Sequence, residues 1–226
     1  MQRNTTKTVR KALLFLISSA LALPTYVSAS DLFDIEWDLK RDKEGIQVYT
    51  GNIEGSKLKA VKSEMRINAP INALIGLVRD ADACPEWADL CKKAEHVEVI
   101  SETQMYVYTL NDLPWPVSDR DAVAHILWEK DAESGHVTMV ATVAPDKMPK
   151  TKAIRIPYGI TQWTFVPHEN GEVTVISNAH VDPGGATPAW LTNRLLVDSP
   201  FTTMKKMRDI VTSGRYAEAT FEFMTN

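Results

Sequence analysis

The 226 residues contain two cysteines, Cys84 and Cys91, with 10 glycines and 12 prolines, so the chain is neither a dense disulfide framework nor a collagenous or low-complexity segment. No apolar run reaches the ~18 residues that a membrane-crossing helix needs. Basic residues do not form a patch; the densest group is Lys205-Lys206 with Arg208. The Gly-x-Ser-x-Gly elbow, the His-Glu-x-x-His zinc helix, the glycine-rich phosphate loop and the Cys-x-x-Cys pair are all missing. Their absence removes the readily recognised hydrolases, zinc peptidases, nucleotide enzymes and dithiol oxidoreductases.

Acid is also missing from Met1 to Ala29, which carries Arg3, Lys7, Arg10 and Lys11. An apolar run from Ala12 to Leu23 follows, then Pro24 and the small residues Val27-Ser28-Ala29. This is the pattern of a secretory signal cut between Ala29 and Ser30. Residues 30–226 are then expected to form one domain, exported and, in a Gram-negative source, periplasmic. They hold 21 basic and 29 acidic side chains, a formal charge of −8. Such a body repels nucleic acid and anionic membranes at long range, so no nucleic-acid partner is expected. In an oxidising compartment Cys84 and Cys91 are read as a disulfide. Seven residues of unbroken helix would hold them about 10 Å apart, so the pairing requires a broken helix, for which Pro85 is well placed.

Asp31–Leu39 repeats apolar residues at three- and four-residue steps and predicts a short amphipathic helix. Gly45–Gly51 and Leu58–Ile67 alternate and predict strands. Asn68-Ala-Pro70 opens a helix with the stripe Ile71, Leu74, Ile75 and Val78, ending near Asp80. Strands are expected at Val97–Ile100, Met105–Leu110, Ala122–Glu129, His136–Val143, Ile154–Val166 and Glu172–Asp182, about eight in all. Thr187-Pro188 announces a last helix bearing Leu191, Leu195, Met204, Met207 and Val211, kinked at Ser199-Pro200. The fold class is α+β: a curved antiparallel sheet wrapped around a long C-terminal helix.

A sheet that grips a helix encloses volume, and an apolar, unfilled interior would take a hydrophobic ligand. Candidate lining residues are Tyr106, Tyr108, Trp128, Met139, Trp163, His180, Trp190, Leu191, Leu195 and Met204. The segment Leu113-Pro-Trp-Pro-Val-Ser-Asp-Arg-Asp121 resembles the signature loop and strand of START (StAR-related lipid-transfer) domains. Pro85-Glu-Trp-Ala-Asp89 resembles that family's tryptophan segment, and Val181–Trp190 resembles the approach to its lid helix. The resemblance spans about Asp34 to Tyr216. It implies the helix-grip fold, with a nine-stranded sheet over a tunnel for one lipid, and non-catalytic binding and transfer gated by the C-terminal helix. Trp115, Pro116, Arg120 and Asp121 are the signature residues, and Gly184 and Gly185 the lid hinge. The resemblance gives Arg120 a role that is architectural as much as ligand-directed, and, flanked by Asp119 and Asp121, it can alternatively pair locally. Tyr106–Thr109 and Ala122–Ile126 carry no charged pair of the kind that some sterol-binding members place in the tunnel.

The expected partners are a phospholipid, a fatty-acid derivative or a sterol-like molecule, with transient membrane contact by a monomer and no cofactor or metal. Two readings compete. One is a cyclase or isomerase using Tyr106, Tyr108 or His180, with His180-x-Asp182 also able to form a metal pair. The other is an envelope interaction domain whose interior is filled by its own side chains. Cavity volume separates them: tens of Å³ indicate a filled module, several hundred a carrier.

Overall fold

A computed structural model describes residues 35–225. The segment read as a signal, its Ala29/Ser30 junction and residues 31–34 lie outside the described residues. The strands are β1 Trp37–Lys43, β2 Ile46–Asn52, β3 Lys59–Asn68, β4 Cys91–Val99, β5 Gln104–Asn111, β6 Arg120–Lys130, β7 Val137–Val143, β8 Ile154–Arg155, β9 Tyr158–Pro167 and β10 Glu172–Asp182. The helices are α1 Ile71–Arg79, α2 Cys84–Trp87, α3 Ala189–Asn193 and α4 Ser199–Thr212, with one π-helical turn, Arg194–Asp198, joining the last two.

The sheet runs β1-β2-β3-β10-β9-β7-β6-β5-β4, antiparallel throughout, and two-residue β8 adds to β6 in parallel. Among the described residues this makes ten strands, against the eight read from alternation and the nine that the resemblance implies. Two differences account for it. The helix expected at Asp31–Leu39 is instead strand β1 from Trp37, paired with β2 and shifted in register between Leu39 and Arg41. As an edge strand that is mostly exposed and rich in Asp, Lys and Arg, β1 carries no apolar alternation by which a strand could be read. The run Ile154–Val166 is interrupted at Ile156-Pro157, because proline cannot donate to the ladder.

Helix α1 follows Pro70 as expected and buries Ala73, Leu74, Ile75 and Leu77. Gly76 lies against the C-terminal tail, where an added Cβ would stand 3.2 Å from Tyr216 and Ala219. The broken helix required by the cysteines is present: α2 ends after Trp87, Ala88 turns extended and Leu90 takes φ 68°. Cys84 and Cys91 are disulfide-bonded with their Cα atoms 6.0 Å apart.

Helix α4 lies in the concave face and buries Phe201, Met204, Met207 and Val211 against β2, β3, α1 and α2. Each such side chain contributes about 1.5–3 kcal/mol by leaving water. The kink expected at Ser199-Pro200 is the π turn. Pro200 has no N–H for the Leu196 carbonyl, and Ser199 N–H reaches back five residues to Arg194 instead.

Candidate functional site

Strand register explains where the interior is full and where it is open. Trp128, Met139 and Trp163 are directly paired across β6, β7 and β9, and with Phe165 they fill one end of the concave face. The next row is Met105, Ile126, Ala141, Thr161 and Ala179, and the next Val107, Ala124, Val143, Gly159 and Val181. Side chains shrink along these rows while the backbones stay about 4.8 Å apart, so volume is left unfilled. Gly159 is closely flanked, since a Cβ there would stand 3.0 Å from Val143 and 3.2 Å from Val181 and those valines would have to give way.

The result is an inner lobe of about 340 Å³ and an outer lobe of about 780 Å³ that share Asn111, Ile156 and Val181 on their walls. Both are lined mostly by apolar surface. Val78, Trp87 and the Cys84 and Cys91 pair form part of the inner lobe's wall. The outer lobe lies beneath the lid, which contributes Leu195, Leu196, Val197 and Pro200, opposite Leu58, Val61, Leu90 and Leu113. These volumes are those of a ligand site and not of a filled module.

Of the residues read as lining candidates, Trp128, Met139 and Trp163 line the inner lobe and Leu195 the outer. Leu191 and Met204 are fully buried in packing, and Trp190 is 48% exposed. Tyr106 and Tyr108 lie on the opposite face of β5 from Met105, Val107, Thr109 and Asn111, which face the tunnel. Tyr106 packs on His125, with Lys147 Nζ 4.1 Å above its ring. Tyr108 is buried, which raises its pKa, as does the nearby charge of Asp121. His180 likewise faces away from Ala179 and Val181. Its Nε2 lies 3.1 Å from Ser56 Oγ, Tyr158 packs edge-on, and burial lowers its pKa. The residues named for a cyclase or isomerase therefore stand on the far side of the sheet from the cavity. Among the described residues no cluster of three or more His, Cys, Asp and Glu is spaced to hold a metal.

Trp87, from the tryptophan segment, is an inner wall residue. Its ring meets Trp163 edge-on at 5.7 Å, and its Nε1 has no hydrogen-bond partner. Size-based reading of the sequence missed the small residues that make the space. Alanine and glycine at alternate positions of neighbouring strands are the signal that marks them.

The signature segment is organised differently from local pairing. Arg120, 3% exposed, donates from Nε to Pro183 O (3.2 Å), from Nη2 to Gly184 O (3.1 Å) and from Nη1 to Ser118 O. Its flanking acids are engaged elsewhere: Asp121 pairs with Arg155, and Asp119 approaches Lys92 at 3.5 Å. Arg120 thus secures the turn into the lid. Gly184 and Gly185 adopt φ 69° and 65° there, a left-handed geometry that glycine takes without strain. Trp115 precedes Pro116 in a cis peptide bond and is 92% exposed.

The START domain family matches residues 25–215. A crystallised STAR-related lipid transfer protein from Xanthomonas axonopodis is 38% identical, with a TM-score of 0.71 over 78% of this chain and 98% of that one. Human StAR-related lipid transfer protein 5 is 17% identical with a TM-score of 0.71, covering 79% and 87%, a likeness of fold. An uncharacterized protein of Pseudomonas aeruginosa is 30% identical over 191 residues, 84% of this chain and 94% of that one. With the signature segment, the gripped helix and the family match all on the same residues, the chain belongs to the START domain family, whose members bind lipids and other hydrophobic ligands.

Proposed function

We propose that this protein carries a hydrophobic ligand in the two-lobed tunnel and performs no chemistry on it. The observation that carries the reading is the outer lobe of about 780 Å³, apolar-walled and continuing toward an apolar inner lobe. Burying acyl or ring carbons there at about 25 cal/mol per Å² supplies affinity, and polar wall groups select among ligands. Loading requires the lid to move. Gly184 and Gly185 are the hinge in this proposal, and the irregular π turn before Pro200 is where the helix yields.

Membrane contact falls to Trp115 and Trp190. Leu113, two residues before Trp115, and Thr187 and Thr192, on either side of Trp190, line the outer lobe, so both exposed indoles flank its mouth. Indoles favour the headgroup level of a bilayer. The basic, apolar and small-residue pattern of Met1–Ala29 and the Cys84–Cys91 disulfide support an exported, periplasmic carrier.

The test is native mass spectrometry of the protein purified from its own cell envelope, followed by solvent extraction. A stoichiometric bound lipid, exchangeable with vesicles, is expected. Protein that emerges empty and takes up no lipid from vesicles overturns the carrier reading.

A further inference from the structure

The outer lobe is cationic within an acidic protein. Its wall includes Lys40, Lys57, Lys59 and Arg120 against one acid, Asp89. Asp89 is engaged by Arg194 at 3.6 Å and Lys40 by Asp38. Among the described residues, Lys57 and Arg120 have no carboxylate oxygen within 4.0 Å.

Arg120 is the telling member. A guanidinium has five N–H donors in a fixed plane, and three here go to backbone carbonyls. Carbonyls solvate the charge without neutralising it. A cation 97% removed from water is costly unless an anion approaches, and the wall it belongs to is that of the outer lobe. Thr50, also buried on this wall, has an Oγ1 with no partner. Holding the lid turn needs only the two bonds to Pro183 and Gly184, so it leaves the positive charge unaccounted for. An attraction of the whole protein to anionic membranes does not account for it either, since Arg120 cannot reach a surface.

We propose that the ligand is an anionic amphiphile: its carboxylate or phosphate lies in the outer lobe against Arg120, with Lys57 and Lys59 guarding the mouth, and its chain runs into the inner lobe. This rests on the carrier reading above and adds the charge of the headgroup to it. Arg120 would then couple occupancy to the lid, because the guanidinium that meets the anion also holds Pro183 and Gly184.

The test uses delipidated protein loaded with Nile red, a neutral probe, and displaced by amphiphiles of identical acyl chain: the fatty acid, the lysophosphatidic acid, the methyl ester and the monoacylglycerol. One or both of the acids should displace the probe at concentrations about tenfold lower than the neutral pair. Which acid is stronger identifies the headgroup as carboxylate or phosphate. Arg120→Met should abolish the difference between the acids and the neutral pair. Because that variant also frees the lid turn, a Lys57→Glu/Lys59→Glu variant provides an independent reading, with the difference narrowed by about threefold. Equal displacement by acid and ester overturns the anionic assignment and leaves the carrier reading standing. So does a loss of anionic-vesicle association in the lysine variant with no change in ligand preference. Displacement by inorganic phosphate alone overturns the amphiphile. Displacement by none of the four overturns the carrier reading itself.

Discussion

Arg155 donates from Nε to Asp121 Oδ1 at 2.8 Å and from Nη2 to Oδ2 at 3.2 Å, a two-pronged pair with both side chains almost wholly out of water. Thr151 adds a hydroxyl bond to Oδ2 at 2.7 Å. The pair pins β8 beside the start of β6, where the turn into the lid is also held. Burial works against the Asp121 carboxylate, yet the Arg155 and Thr151 bonds hold its pKa below the ordinary 3.8. Its stabilisation is therefore present above pH 3.8 and is lost only as pH falls through the lower folded-state value. Asp121→Asn should cost about 3 kcal/mol, since it leaves a buried guanidinium with carbonyls alone. Urea titration at neutral pH checks this; a loss below about 1 kcal/mol would sink the assignment.

That pair also shows what one-dimensional reading cannot reach. Arg120 has acids on both sides in sequence, but strand alternation sends Asp121 to the opposite face, where its partner is 34 residues away. Elements with clean periodicity were legible: α1, most strands, the broken helix at the cysteines and the pause at Pro200. Strand β1 was not, because as a mostly exposed edge strand it carries no apolar alternation. The tunnel was legible as an architecture and only partly as residues. Large aromatics attract attention, yet Tyr106 and Tyr108 face away, while the space depends on Ala124, Ala141 and Gly159 facing it together from three neighbouring strands, in two adjacent rows. Register is set by pairing in three dimensions and is not written in any single strand.

His180 gives the protein an acid-sensitive point near neutrality. Burial lowers its pKa below 6.5, against the opposing pull of the Leu58 backbone bond and Asp182. The folded state binds a proton less readily than the unfolded chain. The stability associated with neutral His180 is complete above pH 6.5 and declines as pH falls toward the folded-state value. Denaturation midpoints near about pH 7.5 and 5.5 should differ for the natural chain, and less so for His180→Gln. The same pH slope in both would remove His180 as the cause.

The disulfide closes a separation of seven residues and forms part of the inner wall. Constraining so short a loop stabilises by about 2–3 kcal/mol in the chain-entropy account. Reductant should lower the melting temperature of the natural protein and leave a Cys84→Ser/Cys91→Ser variant, already lowered, unaffected. Equal response of the two to reductant would contradict the role.

Trp115 and Trp190 separate membrane contact from stability. An indole 92% exposed contributes little packing, so Trp115→Ala should shift unfolding by no more than about 0.5 kcal/mol. Its loss should nevertheless reduce vesicle association and slow ligand exchange, and Trp190→Ala should act in the same direction. Vesicle binding that survives in the double variant would move the contact elsewhere.

The small residues of the tunnel give the sharpest separation of cavity from fold. Ala124 and Ala141 face the inner lobe on adjacent strands, with Val143 and Ile126 as their respective partners. Leucine at both positions would project apolar volume into space that is about 340 Å³ and otherwise empty of side chains. Because the added atoms enter a void and not packed core, stability should change by less than about 2 kcal/mol, in either direction. Ligand recovered per protein by extraction should fall about tenfold, since removing the chain-binding volume removes the burial that drives affinity. Ligand content equal to that of the natural protein, in a variant with the same melting behaviour, would show that the chain of the ligand does not occupy the inner lobe.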